Sequence, residues 1–378
     1  MAKNVSERCL AGLKCIEEQL RDASITLEAL NSYVNTNIFM INNNIPSNID
    51  DLILLDTVLN YFNNHKDEQV KRSVFNFLFS QKNDLRKMDF LVKLTSLSVS
   101  TLSSGVLDII SGWIKNNIPK QLLHILIRRL LTDILSINEN RNNLLKLIPD
   151  VSISFTGAFL IGLTETYQFI PKVGNNLEIN LHKSIDHPSI GLLHHVLEWV
   201  QKHKQQLFNQ PIISSPPPIH GSSEELRNTP FSGLLFWTLS HPLSKISEES
   251  YFQENKKEND LISELHYELL DYMDGLIKAS NPYLLSTDYL KYIVETIKRF
   301  EVPQTPKSPL HGQEESNDAN KLDSDECKQL DLVLIRLSGV IQIGMKNECM
   351  QCSNNELITI LKDLRTHRYI NAVLKALD

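Results

Sequence analysis

Apolar side chains return every third and fourth residue through block after block of this sequence, and that spacing builds one greasy face on an α-helix. Leu10, Leu13, Ile16 and Leu20 set the pattern over residues 9–30. After a loose Asn-rich stretch, Leu52, Leu55, Leu59 and Phe62 repeat it, with Asp50 and Asp51 offering N-cap chemistry where the helix macrodipole favours acids. Further stripes predict helices at 67–80 (Val70, Val74, Phe77, Leu78) and 87–102 (Leu91, Leu94, Leu97). After a break at Gly105 comes another through Val106, Ile109, Ile110 and Trp113, ending before Pro119. The next, at 120–135, is polar only along Gln121, His124, Arg128 and Thr132, so it belongs in the middle layer of a helical stack.

Helix starts near 50, 67, 87, 105 and 120 place helix pairs at a period of about 35 to 40 residues, that of HEAT-type arrays. The expected fold class is therefore all-α: an α-solenoid, a HEAT-like stack of antiparallel helix pairs with a small C-terminal helical unit. No consensus repeat motif accompanies the period, so an irregular helical bundle fits it too. Only 13 glycines and 7% aromatic residues argue against a sheet protein, which needs frequent turns and aromatic or β-branched strands.

Helices are expected again at 153–169, 188–208, 231–239, 260–279 and 284–300. A Pro/Ser loop at 211–227, with its Pro216-Pro217-Pro218 run, interrupts them. Residues 301–325 are acidic, rich in proline and serine and poor in large apolar side chains, the composition of a disordered linker. Beyond lie helices at 326–346 and 369–377. Between these two, the capping box Ser353-Asn354-Asn355-Glu356 opens a helix burying Leu357, Ile360, Leu361 and Leu364. The expected organisation is an N-terminal helix and loose segment (1–48), a helical-repeat domain (49–300), the linker (301–325) and a C-terminal helical unit (326–378).

Several function classes lack support. A net charge of −7 and a pI near 6.0 provide no global positive field to gather nucleic acid, so no direct nucleic-acid binding is expected. Five scattered cysteines fit a reducing compartment better than a secreted disulfide framework. The N-terminus lacks the apolar core of a secretory signal, and charges cut every greasy run short of the roughly 20 residues a membrane span needs, so the reading is a soluble protein without a membrane partner.

Candidate chemistry is sparse. Cys349-Met350-Gln351-Cys352 has the CxxC spacing of half a zinc site, but without a second pair or nearby histidines it reads as an interhelical turn with buried thiols. His194, His195, Glu198 and His203 share one helix, and the spacing of His194 to Glu198 could chelate a metal. HExxH is absent, and Leu193, Val196, Leu197 and Trp199 already explain the helix's packing face. Gly157 and Gly162 lack the lysine of a phosphate-binding loop, and no nucleophile elbow occurs. Acid pairs such as Glu248 with Glu249 are accounted for by solvation. Lys120, His124, Arg128 and Arg129 read as a solvated helix edge in preference to a phosphate-binding patch. Thr305-Pro306 and Ser308-Pro309 have the form of proline-directed phosphorylation sites. No catalytic, cofactor-binding or metal-binding residue is assigned, no cofactor or small-molecule substrate is expected, and partner-binding residues are not identifiable.

One resemblance gives these blocks a direction. Asp51-Leu52-Ile53-Leu54-Leu55-Asp56, Asn60-Tyr61-Phe62, Val70-Lys71-Arg72 and Phe75-Asn76-Phe77-Leu78-Phe79-Ser80 resemble the Integrator complex subunit 15 family. Leu91-Val92-Lys93-Leu94, Val106-Leu107, Ser111-Gly112-Trp113-Ile114, Pro230-Phe231-Ser232-Gly233-Leu234-Leu235-Phe236-Trp237 and Pro242-Leu243 follow in the family's order. So do Leu334-Ile335-Arg336-Leu337 and Asn355-Glu356-Leu357 onward. These are packing residues, and collinearity carries the likeness; 171–227 matches poorly, and the low-complexity tail of some relatives has no counterpart. The resemblance implies a nuclear, non-catalytic scaffold that contacts other Integrator subunits and bridges modules of that complex, in RNA polymerase II transcription termination and small nuclear RNA 3′ processing. Two other readings share the residues: a cytoplasmic α-solenoid adaptor of vesicle or transport machinery, and a metal-dependent enzyme built on His194, His195 and Glu198.

Overall fold

The computed structural model describes residues 2–22, 26–39, 48–79, 84–117, 120–136, 142–169, 187–209, 229–244, 256–276, 284–298, 317–364 and 367–377. The fold is all-α, with two two-residue strands among the described residues. The chain divides into two compact units, Met1–Gly162 and Leu163–Asp378. The sequence reading did not anticipate that division.

The first unit holds α1 (Ala2–Asp22), α2 (Leu27–Asn37), α3 (Asn48–Asn64), α4 (Glu68–Leu78), α5 (Leu85–Ser100), α6 (Ser104–Asn117), α7 (Lys120–Ser136), α8 (Asn142–Val151) and most of α9 (Ile153–Thr166). α1 packs on α3, α3 on α5, and α5 on α7. Thr57 donates to Ser6 Oγ at 3.1 Å, and His65 Nε2 lies 3.5 Å from Glu17, so α1 and α3 run in the same sense. Lys93 with Asp51 (3.8 Å) and Asn63 with Ser103 (3.2 Å) show the same for α3 and α5. Alternate helices that run parallel are what a chain produces when it folds into hairpins and stacks them.

An aromatic cluster lies within the largely aliphatic core of this unit. Phe39, Phe62, Phe75, Phe79, Phe90 and Trp113 are all buried, with ring centroids between 4.7 Å (Phe75 to Phe79) and 6.4 Å (Phe39 to Phe79). Such rings stabilise by area and by edge-to-face geometry. Lys87 is buried beside them, its ammonium 5.3 Å from the Phe39 ring centroid, and desolvation holds its pKa below the usual lysine value.

Several local expectations need correction. The helix expected at 9–30 is two, α1 and α2, the second capped by Thr26, whose Oγ1 accepts from Ala29 N at 3.3 Å. Asp50 and Asp51 sit inside the first turn of α3, not at a cap, and act there on the helix dipole. Caps instead come from Asp67 and Asp84, whose carboxylates each accept two backbone N–H bonds. Gly105 lies within α6; the break falls at Leu102, which takes φ 56°. Ser103 N then donates to Ser98 O at 2.9 Å, closing the left-handed helix end usually given to glycine. α8 was not expected; Leu145 and Ile148 anchor it, and Pro149 is tolerated near its end.

The second unit contains the end of α9, then α10 (Ile190–Phe208), α11 (Pro230–Ser244), α12 (Lys256–Asp274), β1 (Leu285–Ser286), α13 (Thr287–Lys298), α14 (Asn317–Lys346), β2 (Met350–Gln351), α15 (Asn354–Leu361) and α16 (Arg368–Leu377). α10, α12 and α14 run parallel: Gln201 bonds Glu264 (2.8 Å) and Tyr272 bonds Asn209 (2.6 Å), while Arg336 bonds Ser263 (2.9 Å) and Lys346 bonds Asp274 (2.7 Å). All 15 residues of α11 are buried, with α12, α13 and α14 against it. The close of α9 also meets α11, where Trp237 Nε1 donates to Tyr167 O at 2.7 Å.

α14 begins at Asn317, so residues 317–325 of the segment read as linker are helical. Its apolar stripe packs on α11 and α12, and β1 pairs in parallel with β2, Leu285 opposite Met350, so the segment after 326 is built into this unit. The capping box at Ser353 and Glu356 is present. The Pro/Ser loop at 211–227 and residues 301–316, with Thr305 and Ser308, lie outside the described residues.

Candidate functional site

The imidazoles singled out in the sequence lie on α10, which Ser189 caps by accepting from Leu192 N at 3.2 Å. Leu192, Leu193, Val196, Trp199 and Val200 are buried and fix the helix's rotation. That rotation leaves His194 exposed, Glu198 half-buried and His195 buried. Glu198 Oε2 lies 3.8 Å from His194 Nδ1 and 3.6 Å from His195 Nδ1. Spacings of four and three residues put one carboxylate between two imidazoles. His203 stands two turns away, 3.4 Å from Gln206 Oε1, and takes no part.

Cys349 and Cys352 flank β2, so the segment read as a plain turn carries a short strand, and only Cys349 is buried. Cys349 Sγ lies 3.8 Å from Gly344 O, and burial pushes both thiols up, which keeps them protonated near neutral pH. Cys352, Ser286, Thr287, Asp288, Gln351 and Glu356 line an open cavity of about 530 Å³. Its polar groups bond one another: Thr287 donates to Gln351 O at 2.8 Å, and Ser353 N donates to Glu356 at 2.9 Å. Those bonds from Ser353 hold the Glu356 carboxyl below its usual range. The lining carries no imidazole to act as a base.

The expected solvated edge on α7 is partly tied down, since Arg129 pairs with Asp89 of α5. Arg128 and His124 are half-buried on the same helix.

Sequence reasoning missed a buried polar cluster joining α11, α12 and α14. Arg336, 7% exposed, donates to Thr238 O and, at 2.9 Å, to Ser263 Oγ. Thr238 Oγ1 gives its proton to Leu235 O, so it accepts from His266 Nδ1, 3.0 Å away. Burial first, and then the Arg336 charge, push His266 down to about 3, leaving its ring neutral. The available signal was a single arginine inside the apolar run Leu334-Ile335-Arg336-Leu337.

The described surface keeps large apolar side chains in water: Ile49, Leu52 and Leu85 in the first unit, Tyr267, Leu332 and Ile335 in the second. No described helix is long and apolar enough to cross a membrane.

Comparison with known proteins gives the arrangement its relatives. The family model described as Integrator complex subunit 15 matches residues 7–366. The mouse protein named Integrator complex subunit 15 is 22% identical over 357 residues, covering 87% of this chain and 72% of its own. The human protein of that name is 22% identical over 358 residues with the same coverage. A match that begins in α1 and ends beyond α15 takes in both compact units, and the chain belongs to the Integrator complex subunit 15 family.

Proposed function

We propose that this chain is a non-catalytic scaffold subunit of the Integrator complex, working in the nucleus to bridge its modules during RNA polymerase II transcription termination and small nuclear RNA 3′ processing. The observation that carries the reading is the family match across residues 7–366. Its partners are other Integrator subunits, reached by protein–protein contact, with no direct hold on nucleic acid, membrane or small-molecule substrate. Stacked helices suit that work because their outer faces offer long ridges and grooves to partner helices or extended peptides. Exposed side chains such as Leu52, Leu85, Tyr267 and Ile335 supply apolar anchors for such contacts.

Affinity purification of the tagged chain from nuclease-treated nuclear extract, followed by quantitative mass spectrometry, tests the reading. Integrator subunits should dominate the co-purified proteins. Enrichment of vesicle coat or tether proteins in their place would reject it.

A further inference from the structure

We propose that His194, His195 and Glu198 of α10 bind a divalent transition-metal ion of the zinc type. Each side chain can offer one donor atom, and the three donors lie within 4.8 Å of one another. The ligand atoms of a tetrahedral zinc ion, each about 2.0 to 2.2 Å from the metal, sit roughly 3.4 Å apart. Glu198 Oε2 is already 3.8 and 3.6 Å from the two Nδ1 atoms, so small rotations about the side-chain bonds bring all three onto a common centre.

The donor set selects the ion. Two imidazoles and one carboxylate suit zinc, nickel or copper, whereas calcium and magnesium demand mostly oxygen. The helix preorganises the set: packing of Val196, Trp199 and Val200 fixes its rotation, and the Ser189 cap fixes its start. Access comes from the solvent side, since the His194 side chain is 48% exposed while that of His195 is 8%. Three protein donors leave a position for water or for a group from another molecule. The set itself contains no second carboxylate to serve as a general base beside a bound water.

A protonated imidazole paired with a carboxylate would give similar distances, so the experiment must separate ion from proton. The full chain, stripped with chelator, is titrated with zinc chloride by calorimetry and with cobalt chloride by absorbance. Saturable one-to-one zinc binding is expected, with cobalt bands free of the near-ultraviolet sulfur charge-transfer that Cys349 and Cys352 would produce. His194→Ala and Glu198→Gln should each weaken zinc by at least about tenfold, since even outer-shell partners are worth that much. Unchanged helical circular dichroism shows that both variants remain folded. No saturable binding, sulfur charge-transfer bands, or unaltered affinity in both variants would overturn the site.

Discussion

Acid should loosen the second unit in part through the buried imidazole of His266, because the fold denies that ring a proton the unfolded chain accepts. In an unfolded chain a histidine has a pKa near 6.5, whereas in the fold burial and Arg336 depress His266 to about 3. Above pH 6.5 the ring is neutral in both states and its contribution to stability is complete. As pH falls below 6.5 the unfolded chain takes up a proton that the folded one refuses. Stability then drops by about 1.4 kcal/mol per pH unit until the folded pKa is reached. Between pH 6.5 and 4.5 that amounts to roughly 2 to 3 kcal/mol, a large fraction of a typical folding free energy. Urea denaturation at a series of pH values measures it, and Trp113→Phe removes the first unit's tryptophan so that Trp199 and Trp237 alone report. His266→Gln keeps a donor for Thr238 Oγ1 and cannot titrate, so its unfolding midpoint should fall less steeply with acid than that of the parent. Equal pH dependence in parent and variant would refute the assignment of a buried neutral imidazole.

Leu102 and Glu348 both hold φ 56°, a backbone region that costs a side-chain-bearing residue about 1 to 2 kcal/mol. Leu102→Gly and Glu348→Gly should each raise stability by up to about 1 kcal/mol in thermal denaturation, because the strain relieved outweighs glycine's added chain entropy. Gly233→Ala should do the reverse, costing about 1 to 3 kcal/mol, since its Cβ would overlap Thr164 Oγ1 and approach Thr164 Cβ at 2.8 Å. Phe75→Ala opens a void among Phe62, Phe79 and Trp113 and should destabilise the first unit by about 3 to 5 kcal/mol, read by chemical denaturation with Trp113 as the probe.

Helix content was legible because these stripes are long and apolar, and α4, α5, α10 and α15 fall close to where the spacing puts them. The faces were less legible. Leu10 and Leu20 opened the expected stripe of α1 yet stay exposed, while Val5 and Cys9, which any scan for leucine and isoleucine undervalues, join Leu13 and Ile16 in the core. The β1–β2 pairing could not be foreseen, since two-residue strands have no periodicity and their register rests on contacts 65 residues apart. The Arg336–Thr238–His266 cluster escaped for the same reason: its members come from three helices, and only folding brings them together. The α10 histidines were visible, but periodicity could not say that Glu198 would sit between them with one imidazole buried and the other open to water.

Depleting this chain from cells and sizing the native Integrator assembly in nuclear extract is the most direct test of a bridging scaffold. The account predicts that Integrator subunits shift from one large species into smaller, separately migrating modules, and that restoring the chain reunites them. An assembly that keeps its full size and composition without the chain would contradict the bridging role.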